Sequence, residues 1–193
     1  MKSNVCVFKK SVADLNNILL ESDKIAQYNN LAKKESLRLR LLAEEMVALL
    51  SELVEKFEGE FYIENNNNQY ELHAEIKIPT MTSDVRKELI AFSSQKKNSA
   101  SKGILGKIRN AFDVMMINFF ENESLYVVPT SVGGEYNYNY NYEWSLRSYV
   151  NSCESKKEID DELQKSIIGS VADNVVVAIK GGKVSIVITK EFN

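Results

Sequence analysis

The chain has 193 residues, a formal net charge of −3, 44% hydrophobic and 26% charged residues, the make-up of one globular domain able to bury a core. That charge balance speaks against the broad basic footprint of a nucleic-acid binder, and two cysteines, Cys6 and Cys153, are too few and too far apart for a disulfide framework or a zinc site. The N-terminus MKSNVCVFKK carries no apolar run of signal-peptide length, and no apolar run spans a bilayer, so a cytoplasmic chain with reduced, structural thiols is expected.

Residues Asn4 to Phe8 (NVCVF) read as a short first strand. From Val12 the apolar residues Val12, Leu15, Ile18, Leu19, Ile25 and Tyr28 recur at helical spacing, which predicts a helix from about Ser11 to Asn30 that Ser22-Asp23 could interrupt. A second helix is predicted from Ser36 to Phe57 by the stripe Leu39, Leu42, Ala43, Met46, Leu49, Leu50, Leu53 and Phe57, with Gly59 as its stop. The period then switches to two. Phe61 and Ile63, then Tyr70, Leu72, Ala74, Ile76 and Ile78, alternate with polar residues around Asn65 to Asn68, a β-hairpin with one solvated face that Pro79 ends.

Thr82 or Ser83 is placed to cap a helix reaching about Phe92. The polar, lysine-rich stretch SSQKKNSASK (residues 93–102) then enters a helix from Gly103 to about Phe120. Glu135 to Tyr142 is a Tyr-Asn repeat after Gly133-Gly134 that reads as a surface loop, or else an edge strand. Two further helices are expected from Glu143 to Cys153 and from Lys157 to Val171. Two β-branched runs, Asn174 to Lys180 and Lys183 to Lys190, flank Gly181-Gly182 as a closing hairpin. The sum is an α+β two-layer sandwich in a single domain, residues 1–193: one mixed sheet of about five strands with helices packed on one face. No internal repeat is evident.

Between Leu89 and Phe112 there is no acidic residue, while Lys96, Lys97, Lys102, Lys107 and Arg109 are cationic. A glycine-bearing loop at a helix N-terminus favours anions through free N–H groups and the helix dipole, so Lys97, Lys102, Gly103, Gly106 and Lys107 are candidate phosphate ligands; a solvated loop whose glycines only ease helix entry is the alternative. Glu44 with Glu45 could supply a general base, or mark the wet edge of an amphipathic helix. His73, the only histidine, sits on the polar face of the hairpin among Glu71, Glu75 and Lys77 and is expected to be a surface residue. No metal cluster is visible. Cys6 and Cys153 lack a basic sequence neighbourhood that would mark a nucleophile, and the Tyr-Asn repeat has no interleaved basic residues for stacking on nucleic acid.

The order of these parts, LRLRLLAEEMVALL (Leu37 to Leu50), a hairpin, a polar loop into SKGILGKIRNAF and the terminal DNVVVAIKGGKVSIVITK, resembles the ATPase domain shared by anti-sigma factor kinases, sensor histidine kinases and gyrase. The resemblance implies a histidine kinase-like ATPase fold, a lid at residues 93–102, ATP or ADP as ligand, and Glu44 at the place of the family's helix glutamate. Four residues beyond it stands Ala48, where the family has a magnesium-holding asparagine. PTMTSD (residues 79–84) stands where the adenine-reading Asp-x-Gly-x-Gly belongs. Three readings therefore stay open: a degenerate, anti-sigma-like regulatory module with a protein partner and no conventional Mg-ATP hydrolysis; a nucleotide binder gripping phosphates with the 96–109 loop; and an interaction protein with no ligand.

Overall fold

The computed structural model describes residues 1–9, 11–54, 57–77, 103–125, 142–153, 159–160, 163–180 and 183–192, with backbone alone for 120–125 and 180. The chain opens with strand β1 (Cys6–Lys9) and helix α1 (Val12–Tyr28). Ser11 Oγ accepts from Asp14 N at 3.2 Å, while Lys9 N and Ser11 Oγ donate to Asp14 Oδ2 at 2.9 and 2.7 Å. This cap fixes the strand-to-helix corner, and its hydrogen bonds hold the Asp14 carboxyl below the usual carboxylate range. α1 runs unbroken through Ser22-Asp23, because the Ser22 hydroxyl donates to the Leu19 carbonyl at 2.7 Å and Asp23 pairs with Arg40. Asn30, at φ 55, ends the helix as the sequence suggests.

Helix α2 (Lys33–Leu53) begins before Ser36 and stops short of Phe57. Glu35 Oε2 accepts from Ala32 N at 3.0 Å, which satisfies a donor ahead of the first turn. Leu39, Leu42, Ala43, Met46, Leu49 and Leu50 are buried as one stripe. Gly59 is not the helix stop. It lies inside strand β2 (Glu58–Asn66), where an added Cβ would sit 2.5 Å from Ile76 Cγ2 and 2.6 Å from the Glu75 carbonyl oxygen.

β2 turns into strand β3 (Gln69–Lys77) through Asn67 and Asn68, at φ 52 and 67. Two consecutive positive φ values are what a two-residue hairpin of matching twist demands, and asparagine accepts them. Asn65 anchors this turn to α1: its Nδ2 donates to Asn29 Oδ1 at 2.8 Å and its Oδ1 accepts from Asn68 N at 3.1 Å.

The helix predicted between Ser83 and Phe92 and the lysine-rich stretch through Lys102 lie outside the described residues. Helix α3 (Gly103–Leu125) follows. The helix expected from Glu143 to Cys153 is instead strand β4 (Tyr142–Ser145) followed by helix α4 (Leu146–Ser152). Ser145 makes the switch by accepting from Ser148 N at 3.2 Å as the N-cap, and Trp144 anchors the helix against Tyr149, ring centroids 6.0 Å apart. Tyr142, the last residue of the Tyr-Asn repeat, thus opens an edge strand; residues 133–141 lie outside the described residues. The helix expected over Lys157 to Val171 is broken at Lys165-Ser166. There Ser166 caps helix α5 (Ile167–Val171), accepting from Gly169 N at 3.3 Å. Strands β5 (Asn174–Lys180) and β6 (Lys183–Glu191) are the predicted hairpin.

Among the described residues six strands form one sheet in the order β1-β2-β3-β6-β5-β4, and every pairing is antiparallel. This corrects the expectation of a mixed sheet of about five strands: the Tyr142 strand adds the sixth, and the two hairpins meet tail to tail. One side of the sheet packs with the helices into a single apolar cluster, in which Phe61, Ile63, Leu72, Ile76, Val177, Ile186 and Ile188 meet Leu39, Leu42, Met46, Ile104 and Ile108. The architecture is therefore α+β with one sheet face buried beneath helices.

The strands also carry a symmetry that the residues conceal. Among the described residues the strand order is the same read from either edge, and the four inner strands are disposed about His73 and Val187, which face each other at the middle of β3 and β6. Phe61 and Ile63 occupy the places of Val175 and Val177, and Tyr70, Leu72 and Ala74 those of Val184, Ile186 and Ile188. All ten are buried, yet no pair is identical, which is why the sequence shows only alternation.

Gly59→Ala forces a methyl into the Ile76 and Glu75 contacts and is expected to cost about 1–3 kcal/mol, roughly 2–10 °C of Tm. A thermal melt that does not move would mean that β2 and β3 can part to accept it.

Candidate functional site

The residues predicted to carry nucleotide chemistry fall in different environments. Glu44 is exposed on α2, whereas its neighbour Glu45 is half-buried. Burial, and then the charges of Glu44 and Glu52, push the Glu45 carboxyl above the usual carboxylate range. Gly103 opens α3 at φ 77, with open space where a Cβ would point, but Gly106 is buried on the same helix. Ile104 and Ile108 are fully buried, so the first turns of α3 are docked on the core. Lys107 places its Nζ 5.7 Å from the centroid of the Tyr149 ring, a contact that joins α3 to α4. Lys97 and Lys102 lie outside the described residues. Among the described residues no ion pair joins Glu44 to Lys107.

Two other places concentrate polar chemistry or exposed apolar surface. The first is the open face of β2 and β3. His73 lies on the polar face of the hairpin, as the sequence suggests, but its side chain is only 16% accessible. It stacks on Tyr62, its direct cross-strand partner, with ring centroids 4.6 Å apart and planes 10° from parallel. Glu71, two residues back on the same strand face, brings Oε2 to 3.4 Å from His73 Nε2. That pair lacks hydrogen-bond geometry, and Nε2 is shut off from solvent without a hydrogen-bond partner. Glu64 faces Glu71 across the strands, and a ligand atom from each of Glu64, Glu71 and His73 lies within 4.8 Å of the others. The sequence reading found no metal cluster because Glu64 comes to the other two only through the hairpin register.

Lys2 and Gln69 border the group. Lys2 Nζ lies 3.2 Å from Glu64 Oε1 and 3.4 Å from the centroid of Tyr62; Gln69 Nε2 donates to Glu71 Oε1 at 2.8 Å. Burial raises the Tyr62 hydroxyl pKa, with Lys2 opposing it, so Tyr62 serves here as a neutral platform.

The second place is the outer edge of the sheet at β1. Among the described residues β1 pairs with β2 alone, and it leaves Val5 and Val7 49% and 59% exposed, with Leu20 of α1 beside them 54% exposed. These residues, with Asn4, Cys6, Asn17, Glu21 and Lys24, line a shallow groove of about 300 Å³. Its floor is electrostatically settled: Glu21 accepts from Lys24 Nζ at 2.5 Å and from Asn4 Nδ2 at 3.3 Å. Burial, then the charge of Glu21, raises the Cys6 thiol, which disfavours its thiolate form. Cys6 and Cys153 are both free thiols. Among the described residues no helix is long and apolar enough to cross a membrane.

Comparison with protein-family models, with curated proteins and with solved structures finds no match to this chain.

The raised Glu45 carboxyl has a stability consequence of definite sign. A carboxylic acid whose pKa is higher in the folded chain than in the unfolded one destabilises the fold once ionised; the penalty fades as pH falls through the folded value and is gone below the unfolded one. Glu45→Gln is therefore expected to raise Tm at pH 7 and to bring no gain near pH 3, below the ordinary carboxylate pKa of about 4.3. Paired melts across that range check it, and an equal gain at both ends would point to packing instead of charge.

Proposed function

We propose that this chain is a regulatory, protein-binding module that captures an extended segment of a partner along the outer edge of β1, without conventional Mg-ATP hydrolysis. The observation that carries this reading is the association of a strand that pairs on one side alone among the described residues with three exposed aliphatic side chains, Val5, Val7 and Leu20. An edge strand offers unpaired backbone N–H and C=O groups, and natural sheets blunt such edges with charge, proline or cover. Here valines flank the edge, and the groove beside it suits the alternate side chains of an added strand. The partner class is an extended peptide segment with apolar residues at every second position.

The regulatory role is the part of the histidine kinase/gyrase-type resemblance that this reading keeps, with the ATPase-like fold and its anti-sigma-like branch as its family proposal and the cytoplasm as its compartment. Exposed Glu44, with Ala48 where the magnesium-holding asparagine would stand, supports a role other than hydrolysis. One observation favours the nucleotide reading as a second choice. Gly103, left-handed and unobstructed at the head of α3, leaves room for an anion that Lys97, Lys102 and Lys107 could share.

Peptide-library selection against the native chain tests the first reading. The enriched sequences are expected to alternate apolar residues, to slow amide exchange at residues 5–9 and to lose binding to a Val7→Lys/Leu20→Glu variant. Peptides that bind this variant equally well would sink the proposal. Concentration-dependent self-association abolished by the same changes would instead assign the edge to a second copy of the chain. A thermal-shift titration with ATP and ADP, with and without magnesium, separates the readings. No shift at millimolar nucleotide is expected, whereas a saturable rise in Tm lost in Lys102→Ala would establish the nucleotide reading by mass action.

A further inference from the structure

We propose that Glu64, Glu71 and His73 form a binding site for a divalent transition-metal ion of the zinc class on the open face of the β2-β3 hairpin. This goes beyond the β1-edge reading and stands or falls separately from it. The geometry follows from strand periodicity. Glu71 and His73, two residues apart on β3, must point to the same face, and the register sets Glu64 directly opposite Glu71. One ligand atom from each already lies within 4.8 Å of the others. Ligands bound to zinc at about 2.0–2.2 Å stand at most about 4.4 Å apart, so small side-chain rotations close the set.

A second observation is independent of this clustering. His73 Nε2 is shut off from solvent and has no hydrogen-bond partner, a costly condition for a polar atom unless something else occupies its lone pair. The ring cannot easily turn away, because it lies flat on Tyr62. Gln69 holds Glu71 by Oε1, leaving Oε2 on the His73 side; outer contacts of this kind orient metal ligands. The place already attracts positive charge, since the Lys2 ammonium sits against Glu64 and over the Tyr62 ring.

The chemistry selects the ion class. Two carboxylates and a neutral imidazole balance a dication, and the imidazole favours zinc and its neighbours over magnesium or calcium, which seek oxygen ligands in larger number. Three protein ligands leave a further coordination position for water. Lys2 competes with the ion for Glu64, so removing its ammonium strengthens binding.

The test is a titration of the native chain with zinc chloride, and separately with magnesium chloride, read by calorimetry and by the imidazole NMR signals. His73 is the only histidine, so those signals need no further assignment. The expected result is one zinc ion per chain with the Nε2 resonance moving in step. Binding should fall roughly tenfold or more in Glu64→Gln, Glu71→Gln and His73→Gln, tighten in Lys2→Ala, and be far weaker for magnesium. An imidazole signal that stays still while zinc binds would overturn the proposal and place the ion elsewhere, on Cys6 or Cys153 for example. So would unchanged affinity in Glu64→Gln and Glu71→Gln, and the native-chain resonance decides the matter even if His73→Gln does not fold.

Discussion

The antiparallel pairing of β3 with β6 is the constraint on which the rest of the structure depends. It welds two hairpins into one sheet, opposing Leu72 to Ile188, Ala74 to Ile186 and Ile76 to Val184. All six are buried under the helices. Side chains alternate strictly along a strand, so a slip of one residue would turn this apolar set to solvent and drive Glu71, His73 and Glu75 into the core. Burying those charges without partners costs far more than a lost packing contact. The register that makes the core is therefore the same register that assembles the polar group on the opposite face.

The symmetric strand order makes the asymmetry of that face informative. On the buried side the two halves are interchangeable, with Phe61, Ile63, Leu72 and Ala74 answering to Val175, Val177, Ile186 and Ile188. On the open side they are not. The first half presents Tyr62, Glu64, Glu71, His73 and Glu75, whereas the second presents Val176, Lys183, Ser185, Val187 and Thr189. Packing demands only apolar volume at the buried positions. The open positions are released from that demand: the Glu64, Glu71 and His73 group belongs to the first half, and the second half adds Lys183 against Glu75.

Several elements were legible because local physics alone specifies them. The stripe from Leu39 to Leu50 fits only a helix, the alternation around Asn67-Asn68 fits only a hairpin, and Gly181-Gly182 separates two β-branched runs. The misreadings share a cause. Gly59 resembles a helix stop in sequence, but a neighbouring strand's Ile76 is what excludes a side chain there. Tyr142 to Ser145 sits beside a low-complexity repeat and before a helical pattern, and it becomes a strand because β5 offers Val176 to Ile179 as partners.

By itself the sequence determined the periodicities, the turns, the α+β class and the polar character of one hairpin face, all set by interactions within a few residues. Tertiary structure alone decided that among the described residues the sheet is antiparallel throughout, that its strand order reads the same from either edge, and that β1 pairs on one side alone. It also decided that Glu64 meets Glu71 and His73 and that Gly106 is buried, while Gly103 keeps open space where a Cβ would point. Such facts depend on which distant strand or helix lies alongside. That choice comes from burying the most apolar surface at once, a property of the whole chain that no short window contains.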